Sequence, residues 1–106
     1  MAASRKRAAR TERRQAERAS AKLVWQRERL AALEPGGAPE RAFDVASASV
    51  VEVQARSVPC PQCGGALRLE EHVAIEHEGT RLRVARMICP TCGARRPLYF
   101  RIAQPS

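Results

Sequence analysis

Four cysteines, arranged as two copies of one short motif, are the feature that most limits how this chain can fold. The copies are Cys60-Pro61-Gln62-Cys63-Gly64 and Cys89-Pro90-Thr91-Cys92-Gly93, with 25 residues between Cys63 and Cys89. Two residues between paired cysteines allow both sulfurs to face one metal ion about 2.3 Å away. The proline fixes φ after the first cysteine, and the glycine can adopt a positive φ after the second. The spacing predicts one structural Zn²⁺ per chain, bound by Cys60, Cys63, Cys89 and Cys92.

The cysteines have three other possible roles, as two disulfides, as unrelated structural cysteines or as a redox pair. A redox role is disfavoured because both pairs carry the following glycine and neither lies in a βαβ context. His72 and His77 are further candidate ligands, but four thiolates already complete a closed tetrahedral site. We therefore expect the histidines to be surface or strand residues, and we expect no catalytic centre and no small-molecule substrate.

Chain length and composition point to the same need for a metal. The chain has 106 residues, of which aromatic residues make up 4%. Small domains bury a low fraction of their surface and are only marginally stable without a disulfide or metal. We therefore expect a metal-stabilised fold rather than one with a large apolar core.

The N-terminal third of the chain has the composition of a basic helix. From Ser4 to Leu33 the residues are mostly strong helix formers, and no glycine or proline interrupts them. At 100° per residue, one side of this helix carries basic side chains and a tryptophan, namely Arg7, Arg10, Arg14, Arg18, Lys22, Trp25 and Arg29. A narrow apolar stripe lies opposite, formed by Ala9, Ala16, Ala19, Leu23, Leu30 and Leu33. The stripe is expected either to dock on the rest of the chain or to pair with another helix.

The remaining residues predict a linker followed by strands. The sequence Glu34-Pro35-Gly36-Gly37-Ala38-Pro39 ends the helix and predicts a flexible connection. Alternating apolar residues predict strands over 49–54, 66–71, 73–77, 81–88 and 97–102, with a turn near Glu78-Gly79. The expected domains are a basic helical arm (1–34), a linker (35–41) and a cysteine-containing domain (42–106). The expected fold class is small α+β, with the basic helix preceding a three- to four-stranded antiparallel sheet.

Positive charge is concentrated at the N-terminal end. Residues 1–34 contain ten Lys or Arg and four Glu, a net charge of +6, whereas residues 35–106 have a net charge of +2. Such asymmetry indicates an arm that binds a polyanion, although a solvated helix without a partner is an alternative. No segment has the apolar length of a membrane span or a secretory signal. We therefore expect a cytoplasmic protein with no membrane partner, in which thiols stay reduced.

Residues 59–102, about two-fifths of the chain, resemble the zinc-ribbon superfamily. The duplicated Cys-Pro-x-Cys-Gly motifs carry this resemblance, which is specific for the fold and the metal but not for the function. Zinc ribbons occur in transcription factors, RNA polymerase subunits and ribosomal proteins. Transcript-cleavage factors of this superfamily carry an adjacent acidic pair on a hairpin, whereas Glu76 and Glu78 are not adjacent here.

Three functions are compatible with these features. The first is a non-catalytic binding protein whose basic helix contacts RNA, DNA or a larger nucleoprotein complex, with Trp25 stacking on a base. The second is a protein–protein adaptor that docks through its sheet edge or through Leu23, Leu30 and Leu33. The third is a rubredoxin-like iron electron carrier, since related cysteine motifs also bind iron.

Overall fold

The computed structural model describes residues 2–103. Two helices, one short 3₁₀ helix and four strands follow one another along the chain. Their bounds are α1 (Ala2–Leu33), the 3₁₀ helix (Pro39–Arg41), β1 (Phe43–Val45), α2 (Ala48–Ser57), β2 (Arg68–His77), β3 (Thr80–Ile88) and β4 (Arg95–Ile102). The small α+β class and the long N-terminal helix predicted from the sequence are confirmed. Met1 and residues 104–106, which belong to the predicted terminal domains, lie outside the described part of the chain.

The four strands form one mixed sheet in the order β1-β4-β3-β2. β2 pairs with β3 and β3 with β4 in antiparallel directions, but β1 runs parallel to β4, with Phe43 opposite Phe100. The prediction of a purely antiparallel sheet is therefore wrong at this edge. Tight turns force neighbouring strands to be antiparallel, whereas β1 reaches β4 only after α2 and the β2–β3 hairpin, and a long connection of this kind permits parallel pairing.

The hairpin between the two cysteine motifs follows the prediction. β2 and β3 pair from Arg68 opposite Ile88 to His77 opposite Thr80. The turn residues Glu78 and Gly79 both have positive φ, 49° and 78°, which is the backbone required by a tight two-residue hairpin turn. The hairpin returns the chain to its starting end, so that the segments flanking it lie side by side.

The strand predicted over 49–54 is wrong, because this segment lies within α2. Its valines favour a strand by intrinsic propensity, but Val51 and Ala55 are four residues apart and both are fully buried. This spacing places them on one side of a helix, where they pack into the core beneath the sheet. Burial of that helical side outweighs the preference of individual valines for extended backbone.

The core lies between α2 and one face of the sheet. Its sheet residues include Ala85 and Met87 of β3 with Leu98 and Phe100 of β4, all buried. The rings of Phe43 and Phe100 stack across the β1–β4 edge with centroids 5.3 Å apart. Two of the four cysteines, Cys60 and Cys89, belong to the same buried cluster, which therefore adjoins the cysteine site directly.

The segment after α1, predicted as a flexible linker, is hydrogen bonded to the sheet. The carbonyl oxygen of Gly36 accepts a hydrogen bond from the backbone N–H of Tyr99 at 2.8 Å, and the N–H of Gly36 donates to Arg41 at 2.6 Å. Gly36 itself is buried and has a φ of 78°. These contacts fix where the chain enters the sheet, while the domain boundaries drawn from the sequence stay predictions.

Gly36→Ala is expected to destabilise the protein by about 1–3 kcal/mol more than Gly79→Ala. Both glycines have a φ of 78°, so alanine costs about 1–2 kcal/mol in backbone strain at either site. A Cβ at residue 36 would also collide with the ring of Phe43, whereas one at residue 79 meets nothing within 4 Å. Thermal unfolding measures the stability loss of each variant, and the difference between the two losses is the cost of the collision with Phe43. Equal losses would show that Gly36 does not pack as described.

Candidate metal centre

The first cysteine motif folds into a tight loop that turns both sulfurs inward. The N–H of Cys60 donates to the carbonyl of Gly65 at 2.9 Å, and the N–H of Gly64 donates to the carbonyl of Cys60 at 2.9 Å. Gly64 has a φ of 74°, a conformation that L-residues with a side chain adopt at a cost. The glycine that follows the second cysteine is therefore a backbone requirement of the loop.

The second motif repeats this backbone pattern. The N–H of Cys89 donates to the carbonyl of Ala94 at 2.8 Å, the N–H of Gly93 donates to the carbonyl of Cys89 at 2.8 Å, and Gly93 has a φ of 78°. The two motifs thus form equivalent loops at the same end of the β2–β3 hairpin, each presenting its cysteine pair to the other.

The four sulfurs form one cluster that could bind a single metal ion. All four Sγ atoms lie within 4.8 Å of one another, and the Cys60–Cys92 and Cys63–Cys89 pairs are each 3.5 Å apart. Ligands about 2.3 Å from a tetrahedral Zn²⁺ ion stand about 3.8 Å from each other, so these separations match a closed four-thiolate site. The structure therefore brings together all four cysteines selected from the sequence.

Backbone N–H groups face two of the sulfurs. The N–H of Gln62 lies 3.4 Å from Cys60 Sγ, and the N–H of Gly65 lies 3.4 Å from Cys63 Sγ. Cys60 and Cys89 are buried against the core, while Cys63 and Cys92 are exposed. Four thiolates around a divalent cation carry a net charge of −2, and the N–H groups together with solvent on the open side reduce the cost of that charge.

Hydrogen bonding gives the thiols different acidities. The backbone N–H of Cys92 lowers the pKa of the Cys89 thiol to about 6. At Cys63 the N–H of Gly65 acts to lower the pKa, but hydrogen bonding with the neighbouring thiols, Cys89 first, raises it to about 12. A metal ion bound by all four sulfurs must displace the Cys63 proton, so its affinity rises with pH.

The arginines and histidines near the motifs have other partners. Arg95, a neighbour of the second motif, is paired with Glu70 at 3.0 Å, rather than facing the sulfurs. His72 and His77 lie in β2, 3.8 Å from Glu52 and 3.6 Å from Glu40, and neither joins the sulfur cluster.

The C-terminal end of α1 is attached to the first cysteine loop through Gln62. The side-chain Nε2 of Gln62 donates to the carbonyl of Val24 at 3.0 Å, and the carbonyl of Gln62 accepts from Arg27 Nη1 at 3.1 Å. Gln62 stands between two of the four clustered cysteines, Cys60 and Cys63, so the helix is held by the loop that shapes the candidate metal site.

A buried arginine forms the second attachment. Arg96 is 5% exposed, and its guanidinium donates to the carbonyls of Pro59 at 3.1 Å and Ala31 at 3.4 Å, and to Glu34 Oε2 at 3.0 Å. It thereby joins β4, the entry to the first cysteine loop and the last turn of α1. We call Gln62 and Arg96 together the helix clasp. No motif in the sequence marks either residue; the one available signal for Arg96 is its position among buried residues of an alternating strand.

The predicted basic side of α1 faces solvent. The side chains of Arg7, Arg10, Arg14, Arg18, Lys22, Trp25 and Arg29 are all exposed. Trp25 is 54% exposed and does not pack on the sheet; the guanidinium of Arg29 lies 4.8 Å from the centre of its ring. Between residues 5 and 29, no basic side chain of α1 forms an ion pair, whereas Arg86, Arg95, Arg96 and Arg101 of the sheet are each paired with a carboxylate.

The leucine side of α1 is also exposed. Leu23, Leu30 and Leu33 are 45%, 62% and 60% exposed, whereas Ala31 is buried and its carbonyl accepts a hydrogen bond from Arg96 of β4. The stripe seen in the sequence is therefore not the side that docks on the remainder of the chain.

Neither helix within residues 2–103 is long and apolar enough to cross a membrane. Comparisons of the chain with protein-family models, with curated proteins and with solved structures find no match.

Proposed function

We propose that this chain is a non-catalytic zinc-ribbon protein that binds one Zn²⁺ through Cys60, Cys63, Cys89 and Cys92. The matched loops and the sulfur separations support this assignment. Four thiolates suit Zn²⁺, which prefers tetrahedral sulfur coordination and has no redox chemistry of its own. A rubredoxin-like iron site is the alternative for the same ligands. Metal analysis of purified protein separates the two, since an iron form is red and a zinc form is colourless.

We further propose that the basic side of α1 binds RNA or DNA without strong sequence preference, either free or within a nucleoprotein complex. The observation that supports this proposal is the concentration of unpaired basic side chains on one helix. None of the ten Lys and Arg side chains of α1 pairs with a carboxylate in the described part of the chain, whereas four of the nine arginines outside the helix do. Unpaired positive charge along a helix attracts phosphate groups, and each neutralised phosphate releases counterions.

The length of α1 allows several phosphates to be contacted together. The helix has 32 residues, about 48 Å at 1.5 Å per residue, and the longest dimension of the molecule is 76 Å. Residues 5–30 are exposed, so the basic side is accessible along most of this length. Trp25 offers an exposed ring at the inner end of the basic side, where an unpaired base would stack.

Nucleic-acid binding should be strongly salt-dependent. If the basic side contacts about five phosphates of a duplex, the slope of log K against log salt is about −4.5, a loss of about 500-fold between 50 and 200 mM salt. Changing Arg7, Arg10, Arg14 and Arg18 to Gln keeps helix propensity similar and should remove most of that slope. Fluorescence anisotropy with labelled duplex DNA and single-stranded RNA measures both effects.

A control variant with the same net charge tests whether binding depends on the basic side of α1 or only on the total positive charge of the protein. Arg41, Arg56, Arg68 and Arg81 are exposed and lie outside α1, so their replacement by Gln removes the same charge from other surfaces. This control should keep the wild-type slope of log K against log salt. Trp25→Ala tests base stacking instead: it should weaken binding to single strands by about 1–3 kcal/mol and change binding to duplex little. Absence of binding to any nucleic acid at low salt would contradict the proposal and favour an adaptor.

A further inference from the structure

Three leucines on one side of α1 form an apolar surface that the molecule does not cover. Leu23, Leu30 and Leu33 are all about half exposed or more. At 100° per residue they fall within a sector of about 80°, and Gln26 lies between them. The side of the helix that docks on the cysteine loop is a different one, since it carries Arg27 and Ala31. We call Leu23, Leu30 and Leu33 the leucine stripe.

The spacing of the stripe suits a helical partner. Ala16, Leu23 and Leu30 are separated by seven residues each, and Ala19 and Leu33 extend the same side. A repeat of seven keeps one side of a helix facing a neighbouring helix over several turns, which is the geometry of coiled-coil contacts. A flat or extended partner would not need this repeat.

The positive charges that border the stripe favour an acidic partner. Lys22 and Arg29 border it on one side and Arg27 on the other, and the acidic residues of this part of the helix, Glu17 and Glu28, lie away from it. A second copy of the chain would place one arm of net charge +6 against another. Like charges along a helix pair oppose association, whereas acidic side chains at the flanking positions of a partner would favour it.

From this geometry we propose that the leucine stripe binds an acidic amphipathic helix of a partner protein. Leucine or isoleucine side chains of that helix cover Leu23, Leu30 and Leu33, and its flanking carboxylates pair with Lys22 and Arg29. Lys22 and Arg29 belong to both proposed surfaces, whereas the three leucines belong only to this one, so leucine substitutions separate the two activities.

The test uses a fluorescent synthetic peptide of about three heptads, with leucine at the contact positions and glutamate at the flanking positions. A scrambled peptide of the same composition and a lysine-for-glutamate peptide serve as probe controls. The test variant carries Leu23→Gln and Leu30→Gln on the stripe. The control variant is Val53→Gln, which replaces a similarly exposed apolar residue on α2. Anisotropy gives the dissociation constants and sedimentation gives the oligomeric state.

The acidic peptide should bind wild-type protein at least tenfold more tightly than either control peptide. The double leucine variant should lose at least tenfold in affinity for it, Val53→Gln should lose less than twofold, and duplex DNA binding of the leucine variant should stay within threefold of wild type. Equal binding of the scrambled peptide would overturn the proposal in favour of charge attraction alone. A wild-type dimer that the leucine substitutions dissociate would overturn it in favour of a second copy.

Discussion

Replacement of Cys89 by serine should leave residues 59–102 unfolded and free of metal. The site needs both sequence-distant cysteine pairs, so it scarcely exists in the unfolded chain, and its metal-binding energy of about 10–16 kcal/mol acts as folding energy. That amount exceeds the stability expected of so small a core. Cys89 is also fully buried in the same apolar cluster as Met87 and Leu98, where placing a polar serine hydroxyl costs free energy.

Metal analysis and amide NMR spectra measure this outcome. Thr91→Ala is the matched control, because Thr91 lies within the same loop but is exposed and is not one of the four cysteines. It should keep one metal ion per chain and a dispersed spectrum. Wild-type protein that keeps dispersed signals for residues 59–102 after removal of metal by a chelator would show that the metal has no structural role.

Arg96→Met should release the C-terminal part of α1 from the sheet while leaving metal content unchanged. Methionine keeps the side-chain volume but removes three hydrogen bonds from a charged donor, each of which contributes about 1.5–3 kcal/mol. The carbonyl of Ala31 would lose its guanidinium partner in a buried position. The two remaining contacts of Gln62 are weaker than the sum of those lost.

Hydrogen exchange over residues 24–34 and the rate of tryptic cleavage at Arg27 and Arg29 measure the release. Arg95→Met is the matched control, because this neighbouring arginine is exposed and makes one surface ion pair with Glu70, which contributes about 0–1 kcal/mol. Faster exchange in Arg96→Met but not in Arg95→Met would identify the clasp. Unchanged exchange in both variants would mean that Arg96 does not hold the helix.

The sequence was most informative where one short-range rule acted alone. The helix over 4–33 followed from uninterrupted helix formers, and the hairpin followed from alternation broken at Glu78-Gly79. In the segment containing Val50, Val51 and Val53, the strand propensity of valine conflicted with the burial of one helical side. The burial of Val51 and Ala55 decided in favour of a helix. β1 has only three residues and takes its direction from β4, a distant partner that no local pattern reveals.

The candidate metal site could be predicted more fully than its surroundings. Spacing within each cysteine pair constrains where the sulfurs point, so the cluster was predictable without knowledge of the sheet. The clasp was not, because apart from the Arg96–Glu34 ion pair its contacts are to backbone carbonyls of Val24, Pro59 and Ala31, and every residue type has a carbonyl. Side-chain identity therefore gave no indication of these contacts.

Because Gln62 lies between two candidate ligand cysteines, the direction of α1 depends in part on the candidate metal site. The two cysteine loops share the same backbone hydrogen bonds, but only the first, through Gln62, is bonded to the helix within the described chain. If an ion holds Cys60 and Cys63 together, its loss should free Gln62 and weaken one of the two attachments of α1, so we expect proteases to cleave the arginine-rich arm faster. Metal supply would then govern how long each molecule survives as well as how it folds.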